Sequence, residues 1–152
     1  MSFSYGLHHV FILRLLKHYH FPPTSSLHNL VFLVSAAKLE PQELGVYDFV
    51  RTPMGAFSSY LQEVIDDLHE TGLVSADGCQ LTRKGKIFCD YYGVSLAPFL
   101  SFWKLCSELA NRYCSKQEDL RKAVFHHISF RRVRPNEEIF KIEQICADIS
   151  RY

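Results

Sequence analysis

Between Tyr47 and Phe88 the sequence passes through a short aromatic segment, a tight turn, an amphipathic helix and a second chain reversal, and this order constrains the fold more than any other stretch. Val46, Phe49 and Val50 favour a strand, Pro53 and Gly55 punctuate it, and Ser58-Ser59 open a helix. Ser59 and Gln62 have capping-box spacing, in which the hydroxyl meets the third helical amide and the amide side chain reaches back. Leu61, Val64, Ile65 and Leu68 recur at three and four residues and so predict one buried face. Gly72 suits the left-handed residue after a helix. Leu73-Val74 then begins a strand, Asp77-Gly78 suits a type I′ turn, and Gln80 to Thr82 returns. The succession reads as a winged helix-turn-helix, with residues 73–82 as the wing.

The flanking segments read as helices. Leu7 to His18 places Val10, Phe11, Leu13 and Leu16 on a broad apolar side. Phe21-Pro22-Pro23 breaks this helix, and Thr24 or Ser25 caps a second one to about Lys38, apolar nearly all round between Leu30 and Ala37 and therefore expected to be the most buried. Thr82 caps a helix from about Lys84, with Ile87 and Phe88 as its first apolar contacts. After an interruption at Gly93 to Pro98, Leu100, Trp103, Leu105, Cys106 and Leu109 continue a helical pattern to about Tyr113. Ser115 and Glu118 have capping-box spacing before Leu120, Val124 and Phe125. Pro135-Asn136 marks a turn, Glu137 and Glu138 suit a helix N-terminus, and Ile139, Ile142, Ile145 and Ile149 form a last stripe. That stripe either closes the core or forms the seam of a homodimer. The expected fold is mostly α with a small β-hairpin wing. It forms a single domain over 1–152, with a winged-helix core over about 8–92 and a C-terminal helical part over about 93–152.

The stretch from Leu27 to Phe130 resembles the YwgA-like and Panacea-domain proteins. The resemblance rests on the helix Leu27-His28-Asn29-Leu30-Val31-Phe32-Leu33-Val34, the strand Tyr47-Asp48-Phe49 and the turn Gly55-Ala56-Phe57-Ser58, with Ala56 where those families carry proline. Asp67 to Val74 and Leu81-Thr82-Arg83-Lys84-Gly85 match the families' helix end and strand-to-helix exit. It implies a regulator or an antitoxin-like module rather than one defined activity.

A net charge of +1 conceals a strong asymmetry. Residues 52–82 hold five acidic residues and no Lys or Arg, whereas residues 83–152 hold thirteen Lys or Arg against eight acidic residues. A winged helix ordinarily reads DNA with the helix before the wing, and phosphate attraction supplies most non-specific affinity. Here that helix carries Glu63, Asp66, Asp67 and Glu70 opposite its apolar stripe, so ordinary docking would meet phosphate repulsion. Nucleic acid must therefore use another surface or not bind at all; the surface on offer is Arg83, Lys84 and Lys86 after the wing, and Arg131, Arg132 and Arg134 beside Phe130. The same cations would equally hold an acidic protein, or simply be solvated. The acidic helix is itself a candidate protein-binding face, with Glu63, Asp66, Asp67 and Glu70 meeting a basic partner.

Catalytic and cofactor patterns are absent from the sequence. There is no Gly-x-Ser-x-Gly elbow, phosphate loop, dinucleotide fingerprint, His-Glu-x-x-His or deaminase pattern, which points to a protein that is not an enzyme and needs no cofactor. Eight histidines invite a metal, but His8-His9 and His126-His127 are adjacent, and neighbours on a helix point about 100° apart. His18 and His20 have no Cys or carboxylate at short spacing, so no metal site is assigned. Five cysteines without paired spacing favour reduced thiols over a disulfide framework or zinc ribbon, and Cys79 and Cys114 read as small core or surface thiols rather than nucleophiles. No uninterrupted apolar run reaches the roughly 18 residues of a membrane span. The amino terminus lacks a secretory pattern, and a cytoplasmic location is expected.

Overall fold

The computed structural model describes residues 7–37, 48–92, 100–114 and 116–139. Among them the order is α1 (Leu7–His18), α2 (Thr24–Ala37), β1 (Phe49–Thr52), β2 (Gly55–Ser58), α3 (Ser59–Glu70), α4 (Arg83–Tyr92), α5 (Leu100–Tyr113), α6 (Gln117–His126) and α7 (Ile128–Arg131). The fold is mostly helical with one small antiparallel hairpin. α2 is the centre, packing against β2, α5 and α6, while α1 packs against α3 and α4. Its residues from Ser26 to Val34 are all buried, the apolar Leu30–Val34 run as its sequence predicts and the polar Ser26, His28 and Asn29 along with it. Phe32 sits edge-on to Phe49 of β1 and to Phe130 of α7, with ring centroids 5.5 and 6.1 Å away. One hydrophobic cluster thus runs from Val10 to Ile139.

The ladder lies before α3 rather than after it. Phe49↔Ser58, Val50↔Phe57, Arg51↔Ala56 and Thr52↔Gly55 pair across a two-residue turn, so the Gly55-Ala56-Phe57-Ser58 segment expected as a turn is strand β2. Residues 73–82 reverse direction at Asp77-Gly78 as predicted, but only Val74↔Leu81 forms a bridge. The reason lies in the loop: the Asp77 carboxylate accepts from the Ser75 hydroxyl and the Cys79 amide, which curls 75–79 inward and leaves too few residues for a ladder.

Two side chains of α2 hold the outer edge of β2. Asn29 Oδ1 accepts from the Ala56 amide at 3.0 Å, and its Nδ2 donates to the Met54 carbonyl at 3.2 Å. His28 Nδ1 accepts from the Ser58 amide at 3.1 Å, and its ring stacks on Phe57. Gly55 makes the close approach possible: at φ +119° it occupies a region that suits glycine, and a Cβ there would lie 2.2 Å from Asn29 Oδ1.

Several local expectations are corrected. The N-cap of α3 is Ser58, whose hydroxyl accepts from Leu61 N and donates to Asp48; Gln62 does not reach back but bonds His28 and Asp66. Thr82 caps α4 through Gly85 N as predicted, yet Ile87 is 63% exposed. A Cβ on Gly85 would lie 2.0 Å from the Leu73 carbonyl, and this close approach turns Gly85, Phe88 and Cys89 inward and Ile87 outward. α6 starts after Lys116 without a side-chain cap, and Ser115 lies outside the described residues.

Glu137 and Glu138 do not start a helix. Asn136 takes φ +69°, and the chain then runs along β1, with Ile139 N donating to Phe49 O and Arg51 N to Glu137 O. Ile139 is therefore buried in its own chain's core and leaves the proposed dimer stripe; Ile142, Ile145 and Ile149 lie outside the described residues.

Asn29→Ala orphans the buried Ala56 amide and the Met54 carbonyl, and should destabilise the fold by about 2 to 4 kcal/mol in urea unfolding. Asn29→Asp keeps the acceptor for Ala56 but sets a buried carboxylate against the Met54 carbonyl, so its loss should shrink as pH is lowered and the carboxyl is protonated.

Candidate nucleic-acid interface

The cations singled out in the sequence fall into two groups carried by different neighbours. Arg83, Lys84 and Lys86 occupy the first turn of α4, which packs on α1. Arg131 ends α7, Arg132 is its C-cap and Arg134 follows, and α7 packs on α6. All six are exposed. Arg83, Lys86, Arg131, Arg132 and Arg134 form no ion pair among the described residues, and the Glu137 carboxylate accepts from the Arg134 backbone amide. Lys84 differs: its Nζ donates to the Thr71 carbonyl at 3.0 Å, placing a positive charge on the C-terminal end of α3, where the helix dipole favours it.

The Arg131–Arg134 segment is held by buried anchors. Phe130 is fully buried rather than an aromatic neighbour available to a base, so it fixes the segment instead of contacting a ligand. Arg51, which sequence reasoning did not single out, stacks its guanidinium 4.8 Å from the Phe130 centroid, and its Nη1 donates to the Val133 carbonyl at 2.8 Å. Its backbone also bonds Asn136 and Glu137. His127 caps α7 by accepting from Ser129 N. Exposed apolar and aromatic side chains accompany the cations on both elements: Ile87 at 63% and Tyr91 at 77% exposure share an outward face with Arg83 and Lys84 on α4, and Ile128, at 60%, precedes Arg131 and Arg132 by three and four residues.

The acidic face of α3 is present as predicted at Glu63, Asp66 and Glu70, which are exposed. Asp67 is drawn inward, its Oδ2 lying 3.2 Å from His9 Nε2 on α1 with a side chain only 38% exposed. It ties α3 to α1 and contributes less to any docking surface than the other three carboxylates.

The remaining candidate chemistry is subdued. Burial pushes the Cys79, Cys89 and Cys106 thiols up, away from the thiolate a nucleophile requires. Among the described residues no three His, Cys, Asp or Glu side chains come together to hold a metal ion, and no helix is long and apolar enough to cross a membrane. The chain matches no protein-family model, no curated protein and no solved structure.

His28 gives the site region a pH dependence. Burial is the larger influence and lowers its pKa from 6.5, while the bond to Gln62 and the nearby Asp66 oppose this. Because its Nδ1 accepts from Ser58 N, the neutral ring with hydrogen on Nε2 fits the pocket. Its proton therefore binds more readily in the unfolded chain. The stability it contributes is complete above about pH 6.5 and is lost as pH falls through the depressed folded value; His8 and His127, also lowered chiefly by burial, act with the same sign. Thermal unfolding of the native protein should fall between pH 7.5 and 5.5. His28→Asn, which still offers an acceptor to Ser58, should be less stable at pH 7.5 but lose less on acidification; an unchanged slope would assign the effect to His8 and His127.

Proposed function

We propose that the protein is a cytoplasmic, non-enzymatic regulator of winged-helix type that binds nucleic acid through Arg83 and Lys86 on α4 and through Arg131, Arg132 and Arg134. The carrying observation is that these five cations are exposed and unpaired with any described carboxylate, while the 127–139 backbone beneath the second group is fixed by Phe130 and Arg51. Cations engaged in ion pairs would have to exchange partners, whereas among the described residues these have no carboxylate to give up for phosphate. α3 does not enter the groove in this mode, because Glu63, Asp66 and Glu70 would face phosphate. The sequence resemblance to YwgA-like and Panacea-domain proteins fits a regulator and equally an antitoxin-like module.

A second reading rests on α3 itself, whose exposed Glu63 and Glu70 also lack a described cation. It makes the protein an antitoxin- or adaptor-type interaction module that docks a basic protein through this helix. Charge complementarity of that kind mainly speeds association and selects partners.

Fluorescence anisotropy with mixed-sequence duplex DNA across a salt series separates the two. The nucleic-acid reading expects binding at low salt and a steep loss on adding salt, with the slope of log K against log salt becoming shallower by about two to three in Arg131→Gln/Arg132→Gln/Arg134→Gln. Absence of binding at low salt would exclude it. Glu63→Gln/Asp66→Asn/Glu70→Gln should leave DNA affinity unchanged or raise it, and should abolish partner capture only under the second reading.

A further inference from the structure

A cleft of about 410 Å³ opens where the end of α1, the 79–81 loop, α4 and the end of α5 meet. Its ionisable lining is one-sided. Lys17, Lys86, His18 and His20 contribute to it, and none of the described residues that line it is an aspartate or a glutamate. Lys17 is ion-paired with Asp90, which is outside the lining, so a ligand phosphate would share its ammonium with that carboxylate or displace it. Lys86 has no described carboxylate partner. Leu16, Tyr19 and Leu81 add apolar and aromatic surface to the same space. Concave sites of roughly 300 to 1,000 Å³ with apolar walls and a few convergent polar groups hold small molecules, and here the polar groups favour an anion.

We propose that this cleft binds a phosphate monoester with a flat or apolar body, of mononucleotide size, its phosphate near Lys17 and Lys86 and its body against Tyr19, Leu16 and Leu81. The site is separate from the Arg131–Arg134 cluster and does not depend on nucleic-acid binding there. It would give the protein a small-molecule input, distinct from a long polyanion that follows surface charge. Lys86 is common to both surfaces, so occupation of the cleft would withdraw one cation from the α4 patch.

Titration calorimetry and amide NMR with AMP, adenosine and inorganic phosphate, on the full chain at low salt, test this. AMP should bind saturably, with shifts concentrated at residues 17–20, 79–81 and 86, more tightly than inorganic phosphate, and adenosine should bind at least about tenfold more weakly. Lys86→Gln should weaken AMP about tenfold. Gln80→Glu, which places a carboxylate on an exposed lining position, should do so independently, and far-ultraviolet circular dichroism checks that each variant is folded. Arg131→Gln/Arg132→Gln/Arg134→Gln should retain AMP binding while losing DNA affinity, which separates failure of this proposal from failure of the nucleic-acid reading. No saturable AMP binding, equal affinity for adenosine, or equal weakening by the triple arginine variant would overturn it.

Discussion

The hairpin can be buried against α2 only because His28 and Asn29 satisfy its outward-facing backbone. Ala56 and Ser58 present amides toward α2, and a buried amide without a partner costs about 1 to 3 kcal/mol. Two adjacent polar residues in the buried middle of α2 supply both acceptors, and the approach is close enough that only glycine fits at position 55. The rest follows from that seat. With β2 fixed, Ser58 and Asp48 set the start of α3, β1 is placed to accept residues 136–139, and Phe49 meets Phe32 in the core. His28 and Asn29 are accordingly worth more to the fold than their polar character suggests.

Periodicity made the helices legible. The spacing of apolar residues predicts the limits of α1, the burial of α2 and the inward face of α3, because these depend on residues three and four apart. The hairpin was harder to read, since its edge is completed by side chains some thirty residues upstream and its other side by residues 136–139. Glu137-Glu138-Ile139 has the composition of a helix start, but pairing with β1 outweighs that local preference. Ile87 points outward because the closeness of Gly85 to Leu73, invisible to a hydropathy pattern, decides which face of α4 turns inward.

The candidate surface was legible as charge but not as availability. The six cations are exposed as their sequence suggests, yet Lys84 is committed to the end of α3 and Asp67 to His9, partners 13 and 58 residues away. Arg51 gave no cluster signal because it stands alone in sequence; its role emerges from contacts with Phe130, Val133, Asn136 and Glu137. It clasps the C-terminal segment to the hairpin and so couples the placement of the Arg131–Arg134 group to the seat on α2.

The occupied edge of β2 also bears on how the protein behaves in a crowded solution. An open strand edge is a template on which a strand of another molecule can grow, and short sheets with aromatic residues are prone to it. In this hairpin the amides that would receive the incoming strand are already taken by side chains of α2, while residues 136–139 cover the far side of β1. Phe57 is left partly exposed at the rim, but stacked on His28 and without free backbone donors at Ala56 and Ser58 beside it. The same two residues that seat the hairpin therefore stop the sheet from growing, and its small size becomes a safeguard against intermolecular β-pairing.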